Sequence, residues 1–263
     1  MQLFDAHCHL QDERIVNDAA GIMARAAQAG VKRFACCGSS ESDWPAVERL
    51  STQFPELVPS FGVHPWYVAQ GSQGWTATLR SCLERMPQAG VGEIGLDHAP
   101  EKRNDRLQTD FFLTQLRLAV ELQRPASIHC RRAWPAMLET LRKIGRLPAG
   151  FVIHSYSGTP NLIKPLLELG AYFSYSGSIT RPGNRKGVET VKAVPLDRLL
   201  IETDAPDIPP FISDRDHPAD TGPILNEPAN LVHVLRRVAE LRGMTEQELA
   251  LHTWENACRL FRC

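Results

Sequence analysis

No GxGxxG or GxxxxGK loop occurs in this chain, so the usual mark of an open nucleotide-binding sheet is missing. No two cysteines stand in CxxC spacing. The seven present (Cys8, Cys36, Cys37, Cys82, Cys130, Cys258 and Cys263) are an odd number without the spacing of a small secreted domain. Free thiols in a reducing compartment are the expectation. No apolar run approaches membrane-spanning length, and Asp5, His7, His9 and Asp12 stand where a secretory leader would need an apolar stretch. A cytoplasmic protein without membrane association is expected. Excess positive charge is missing too: 29 Lys and Arg against 30 Asp and Glu give a formal charge of −1. No overall basic field draws in nucleic acid, and polyanion binding would need a local patch. No Gly/Ser or Pro-rich tract divides the 263 residues, and one domain over 1–263 is expected.

What is present is a substantial core, with 43% hydrophobic and 22% charged residues. Short apolar runs that suit buried strands occur at 3–7, 33–38, 57–64, 90–97, 125–130, 150–154, 171–176 and 198–204. Helical spacing fills the gaps. Ile15, Ala19, Ile22, Met23 and Ala26 share a face, as do Trp44, Val47, Leu50 and Phe54, and Phe112, Leu116, Ala119 and Val120. Residues 75–86, 134–144, 161–169 and 187–194 fit less cleanly. A closing helix is marked by Leu231, Val234, Leu235, Val238 and Leu241, and a shorter one is expected from Thr245. Apolar strands alternating with helices predict a parallel sheet covered by helices. Eight such units in this length fit an α/β fold of the closed (β/α)8 TIM-barrel type with extra C-terminal helices. Residues 206–228, rich in Pro and Asp, read as one long irregular loop.

The first strand runs through "FDAHCHL". His7 and His9 lie two apart, so both side chains point one way and Cys8 the other. Alone, this is a weak signal, since such a pair is more often hydrogen-bonded strand-end histidines than a metal claw. The other strands add weight. Glu93 lies inside "VGEIGLD", His129 ends "ASIHC", His154 ends "FVIH" and Asp204 ends "LLIETD". In a closed barrel these positions meet at one mouth. Four His, one Glu and one Asp suit two neighbouring divalent ions such as Zn, Mn or Ni. A bridging carboxylate would hold such ions about 3.5–4 Å apart, the spacing of dinuclear hydrolytic sites.

These residues resemble those of the TatD-type metal-dependent hydrolases (TatD-related DNases) of the amidohydrolase superfamily. "FDAHCHL" is similar to that family's D-x-H-x-H-L, "FGVHP" to its G-I/V-H-P and "VGEIGLD" to its G-E-I/T-G-L-D. The stretch from "QTDFF" to "PASIHCRRA", then "VIHSYSG", "LLIETDAP" and "NEPANL", follow in the same order. The resemblance implies a (β/α)8 barrel with two divalent ions (Zn, Mn, Mg or Ni) and DNase activity, notably exonuclease action on single strands, with DNA as substrate. By the same resemblance His7, His9 and Asp204 would bind one ion, His129 and His154 the other, and Glu93 would bridge them. Asp204 would accept the proton of the attacking water and return it to the leaving oxygen. The bland role for Asp204 is that of a ligand only.

Around this set His64 could hydrogen-bond a phosphate, and Trp66 could stack a base or anchor a loop. Arg131 and Arg132, and later Arg181, Arg185 and Lys186, could form a positive rim, although Glu101, Asp105 and Glu189 lie near parts of it in sequence. Asp97 could orient a ligand histidine or cap the following loop. Two departures stand out. His98 and Ala99 replace the aromatics frequent in the family after G-L-D, and "DTGPILNEP" (220–228) lacks its basic R-G-K. Three readings follow: a DNA phosphodiesterase, a hydrolase of small-molecule esters, lactones or amides or of aminoacyl-tRNA, and a non-enzymatic binding protein. Salt-dependent oligonucleotide binding separates the first two, and turnover of any substrate removes the third. No obligate protein partner is evident.

Overall fold

A computed structural model describes residues 1–212 and 224–263. Eight strands run in chain order around one parallel sheet: β1 Leu3–Cys8, β2 Val31–Cys37, β3 Leu57–Phe61, β4 Gly90–Asp97, β5 Ala126–Arg131, β6 Phe151–Ile153, β7 Ala171–Tyr175 and β8 Leu199–Ile201. Each strand pairs with the next, and the ends meet just beyond β8. There the Asp204 N–H donates to His7 O (2.9 Å) and the His9 N–H donates to Ala205 O (2.7 Å). The result is the TIM barrel that the alternation of strands and helices predicts. The helices are α1 Ala19–Gln28, α2 Trp44–Gln53, α3 Trp75–Arg85, α4 Asp105–Glu121, α5 Trp134–Ile144, α6 Ile163–Glu168, α7 Arg185–Ala193, α8 Leu231–Arg242 and α9 Glu246–Phe261. Among the described residues no helix is long and apolar enough to cross a membrane.

Period two sorts each strand between two cores. Phe34, Cys36, Phe151, Ile153, Phe173, Leu199 and Ile201 face outward into the large cluster shared with the helices. Their neighbours Ala35, Val152, Tyr172 and Leu200 join Phe4, Ala6 and Val58 in a separate cluster. That second cluster fills the lower barrel and is closed by Ala257, Leu260 and Phe261 of α9. The Phe4 ring stacks on Phe261 at 5.3 Å and meets Trp254 edge-on at 6.1 Å.

The last helix differs from the expectation of a short element. α9 has 16 residues against 12 in α8. Its N-terminus carries a capping box, with Thr245 and Glu248 satisfying each other's backbone N–H groups. Its buried face includes Thr253 and Asn256, so a purely apolar stripe fades early. Asn256 is satisfied by donating to Leu196 O and Leu199 O (2.8 and 2.9 Å). Residues 213–223, half of the loop read at 206–228 and including the stretch 220–223, lie outside the described residues. The ends of that loop are tied down by Asn226, whose side-chain amide donates to Thr203 O and Asp207 O (2.8 and 2.9 Å).

Candidate metal centre

Followed upward, the inward positions change character. Above Ala35, Val58, Val152, Tyr172 and Leu200 stand Cys37, Ser60, His154, Ser174 and Glu202, and β5 contributes Ser127 and His129. β1 changes phase, with a register shift between Asp5 and Cys8, so that His7 and His9 turn toward the mouth. Cys8 belongs to the outer core, and its thiol donates to Ala35 O (3.6 Å). It takes no part in the site, as the period of two predicts. Two of the residues concerned hold left-handed backbone: Ser155, directly after His154 (φ 42°), and Asp204 itself (φ 58°). Such a conformation is uncommon for a residue with a Cβ, and it turns the chain sharply at the barrel mouth.

All six expected ligands come together. Glu93 is buried at their centre, and its two oxygens face different partners. Oε2 lies 3.2 Å from His9 Nε2 and 3.5 Å from His7 Nε2, while Oε1 lies 2.8 Å from His154 Nε2 and 3.0 Å from His129 Nδ1. Asp204 Oδ1 sits 3.6 Å from both His7 and His9 Nε2. Among the described residues, two of the groupings that bring three donor atoms within 4.8 Å are His7–His9–Asp204 and His64–Glu93–His129. Glu202 joins His7 and His154 in a third.

The rear nitrogens of three histidines are fixed. His7 Nδ1 is 2.8 Å from Ser127 Oγ, His9 Nδ1 is 2.7 Å from Cys37 O, and His129 Nε2 is 3.2 Å from Asp97 Oδ2. Each contact orients its ring and directs the other nitrogen at Glu93. His154 Nδ1 faces Glu202 Oε1 at 3.5 Å. Glu202 in turn accepts from Ser174 Oγ and from the Ser155 N–H (2.7 Å). Asp5, one layer below, accepts from the Thr203 hydroxyl and N–H, and burial pushes its carboxyl up to about 8.

The electrostatics favour cations. Burial would raise Glu93, but the charge of His154 and hydrogen bonds from His129 and His154 hold it well below the usual carboxylate range. Burial likewise opposes ionisation of Asp204 and Asp97. The His9 contact and neighbouring imidazoles keep Asp204 low, and hydrogen bonds from His129 and the Ala99 N–H bring Asp97 to about 2. His64 is pushed down to about 3 by burial and stays neutral.

The residues expected to meet substrate divide. His64 is buried within the cluster, its Nε2 3.4 Å from Glu93 Oε1, rather than on an outer rim. Trp66 is 54% exposed, yet its indole N–H donates to Asp97 Oδ2 (2.8 Å). Arg131 and Arg181 are exposed, and neither side chain has a partner among the described residues. Glu202, Ser127 and Asp5 were not singled out from the sequence. For Glu202 a signal existed, since it precedes Asp204 by two and therefore shares its inward face.

The sequence model of the TatD related DNase family matches residues 4–262. The chain is 34% identical to a 3'-5' ssDNA/RNA exonuclease TatD of Citrobacter rodentium, with 98% of this chain and 97% of that protein covered. It is 30% identical to the metal-dependent hydrolase YabD of Bacillus subtilis, with 99% of both covered. The crystal structure of a TatD homologue from Escherichia coli superposes with a TM-score of 0.91 at 29% identity, covering 99% of this chain and 98% of that one. The chain belongs to the TatD-related DNase family and is a metal-dependent hydrolase.

Proposed function

We propose that residues 1–263 act as one barrel domain that hydrolyses phosphodiesters at the ends of single-stranded DNA, using two divalent ions (Zn, Mn, Mg or Ni). The observation that carries this reading is the division of Glu93, with one oxygen toward His7 and His9 and the other toward His129 and His154. The donor set fits such ions: imidazole nitrogens and carboxylate oxygens, buried and oriented from behind, suit borderline divalent metals. His7, His9 and Asp204 would hold one ion and His129 and His154 the other, with Glu93 between them. Held there, divalent ions would supply an acidified water and offset charge on the attacked phosphoryl group.

The chain's own groups do the rest. A hydrolase acting on ester bonds must move one proton from water to the leaving oxygen. Asp204 is ionised and sits at the mouth, suited to accept that proton on a carboxylate oxygen and pass it on. His64 is neutral; its Nδ1 accepts from the Trp66 backbone N–H (3.2 Å) and its Nε2 lies 3.4 Å from Glu93 Oε1, so its one proton faces that carboxylate. Trp66 offers an exposed face on which a terminal base can stack, while Asp97 holds its indole N–H. Arg131, at the end of β5, can pair with a phosphate oxygen.

The test is hydrolysis of end-labelled single-stranded DNA by protein stripped with chelator and reloaded separately with Mg, Mn and Zn, beside a His129→Ala control. Metal-restored nucleotide release that depends on His129 is the expected result. Protein that binds metal and leaves DNA intact rejects the nuclease. The net charge of −1 favours one second reading, hydrolysis of small esters, lactones or amides on the same residues, and those substrates would then be assayed.

A further inference from the structure

A cleft of about 510 Å3 lies between the turn after β7 (Gly177–Thr180), α7 and α8, lined by Thr180, Arg181, Asn184, Arg185, Glu189 and Arg237 among others. Its volume is that of a small-molecule pocket rather than of a lone anion. Three guanidinium groups and one carboxylate contribute to its walls. Arg237 is engaged by Glu240 on its own helix (2.6 Å). Arg181 and Arg185 are exposed, and among the described residues neither side chain has a hydrogen-bond or ion-pair partner. Glu189, one turn along α7 from Arg185, forms no ion pair with it. Two unpartnered guanidinium groups therefore give local positive potential to a chain whose net charge is −1.

This cleft is joined to the candidate metal centre by a run of polar contacts. Ser155 follows His154, and its N–H donates to Glu202 Oε1 (2.7 Å). Its hydroxyl is 2.7 Å from Ser176 Oγ, which is 3.3 Å from Ser178 Oγ. The carbonyl of Ser178 accepts from Asn184 Nδ2 (2.9 Å), and Asn184 Oδ1 caps α7 by accepting from the Gly187 N–H (3.0 Å). The turn carrying Arg181 and the helix carrying Arg185 are thus positioned on the same polar chain that begins beside His154.

We propose that this cleft binds phosphates of a single-stranded polynucleotide other than the one being cleaved. The inference rests on the nuclease reading and adds to it a site for the body of the strand. Guanidinium forks match phosphate oxygens in bidentate geometry, and among the described residues neither Arg181 nor Arg185 has an acidic partner. Contacts of this kind carry no base information, so they favour long strands over short ones without selecting sequence.

The experiment compares kcat/KM for a dinucleotide and for a single strand of about 12 nucleotides, longer than many single-strand binding sites. It uses metal-loaded wild type, Arg181→Ala/Arg185→Ala and, as a charge-retaining control, Arg185→Lys. Wild type should prefer the longer strand. The double variant should lose roughly fivefold or more of that preference, with the loss in KM. Its salt dependence on the longer strand should flatten by about 0.7 in log–log slope for each phosphate contact removed. Arg185→Lys should keep most of the slope. An unchanged preference and slope in the double variant, or a wild type indifferent to length, overturns the cleft while leaving the nuclease intact. A wild type that cleaves neither substrate overturns the nuclease reading, and the cleft falls with it.

Discussion

The two ends of the barrel interior are made by the same alternation and have opposite characters. At the lower end the inward residues are Phe4, Ala35, Val58, Val152 and Leu200, sealed by Leu260 and Phe261 of α9. At the upper end the next inward positions are His154, Glu202, Ser174 and Ser127, and beyond them His129 and Asp204. The lower end is stabilised by burying apolar surface, which is non-directional. The upper end buries charges, which is tolerable only because nearly every one meets an opposite charge or a hydrogen-bond donor. Stability is concentrated at one end and chemistry at the other, on one set of strands.

Substitutions at the two ends should therefore fail differently. Glu93→Gln should have the largest effect on turnover, a loss of about 10³-fold or more in kcat, while the protein stays folded by circular dichroism. Phe4→Ala should do the reverse. It should cost about 3–5 kcal/mol in urea unfolding and leave kcat per folded molecule unchanged. A Phe4→Ala protein that remains stable but loses activity would break the division between the ends.

Smaller effects sharpen it. Asp97→Asn and Glu202→Gln leave the ligands in place but remove the groups behind His129 and His154, and each should weaken metal binding about 10–100-fold in a competition titration. Trp66→Ala should raise KM about tenfold through lost stacking, with Trp66→Phe retaining most of the affinity. Adding metal at about 100 times its Kd should stabilise the wild type by about 2.7 kcal/mol and Glu93→Gln by much less, read as a shift in Tm.

The fold was largely legible because each strand is a short apolar run and each helix a periodic one. His7, His9, Glu93, His129, His154 and Asp204 could be found because a charge inside or at the end of an apolar run has few structural explanations. What stayed hidden depends on register or on satisfied polarity. Ser127 is an ordinary strand residue until pairing sets it behind His7. Asp97 had two roles open in the sequence, and it fills both: Oδ2 lies 3.2 Å from His129 Nε2, and Oδ1 accepts from the Ala99 N–H of the following loop (2.8 Å). His64 reads as a candidate phosphate contact just past β3, and the structure buries it against Glu93. The length of α9 was obscured because Thr253 and Asn256 interrupt its apolar stripe while being buried and hydrogen-bonded.

The central claim is that Glu93 divides its carboxylate between two metal positions. It is tested most directly by counting the divalent ions bound per chain in wild type and in Glu93→Gln, by calorimetric titration of chelator-stripped protein. Two ions per wild-type chain, with binding at both positions weakened in Glu93→Gln, is the result the geometry predicts. A single ion per wild-type chain, or two ions bound equally well without the carboxylate, would contradict it.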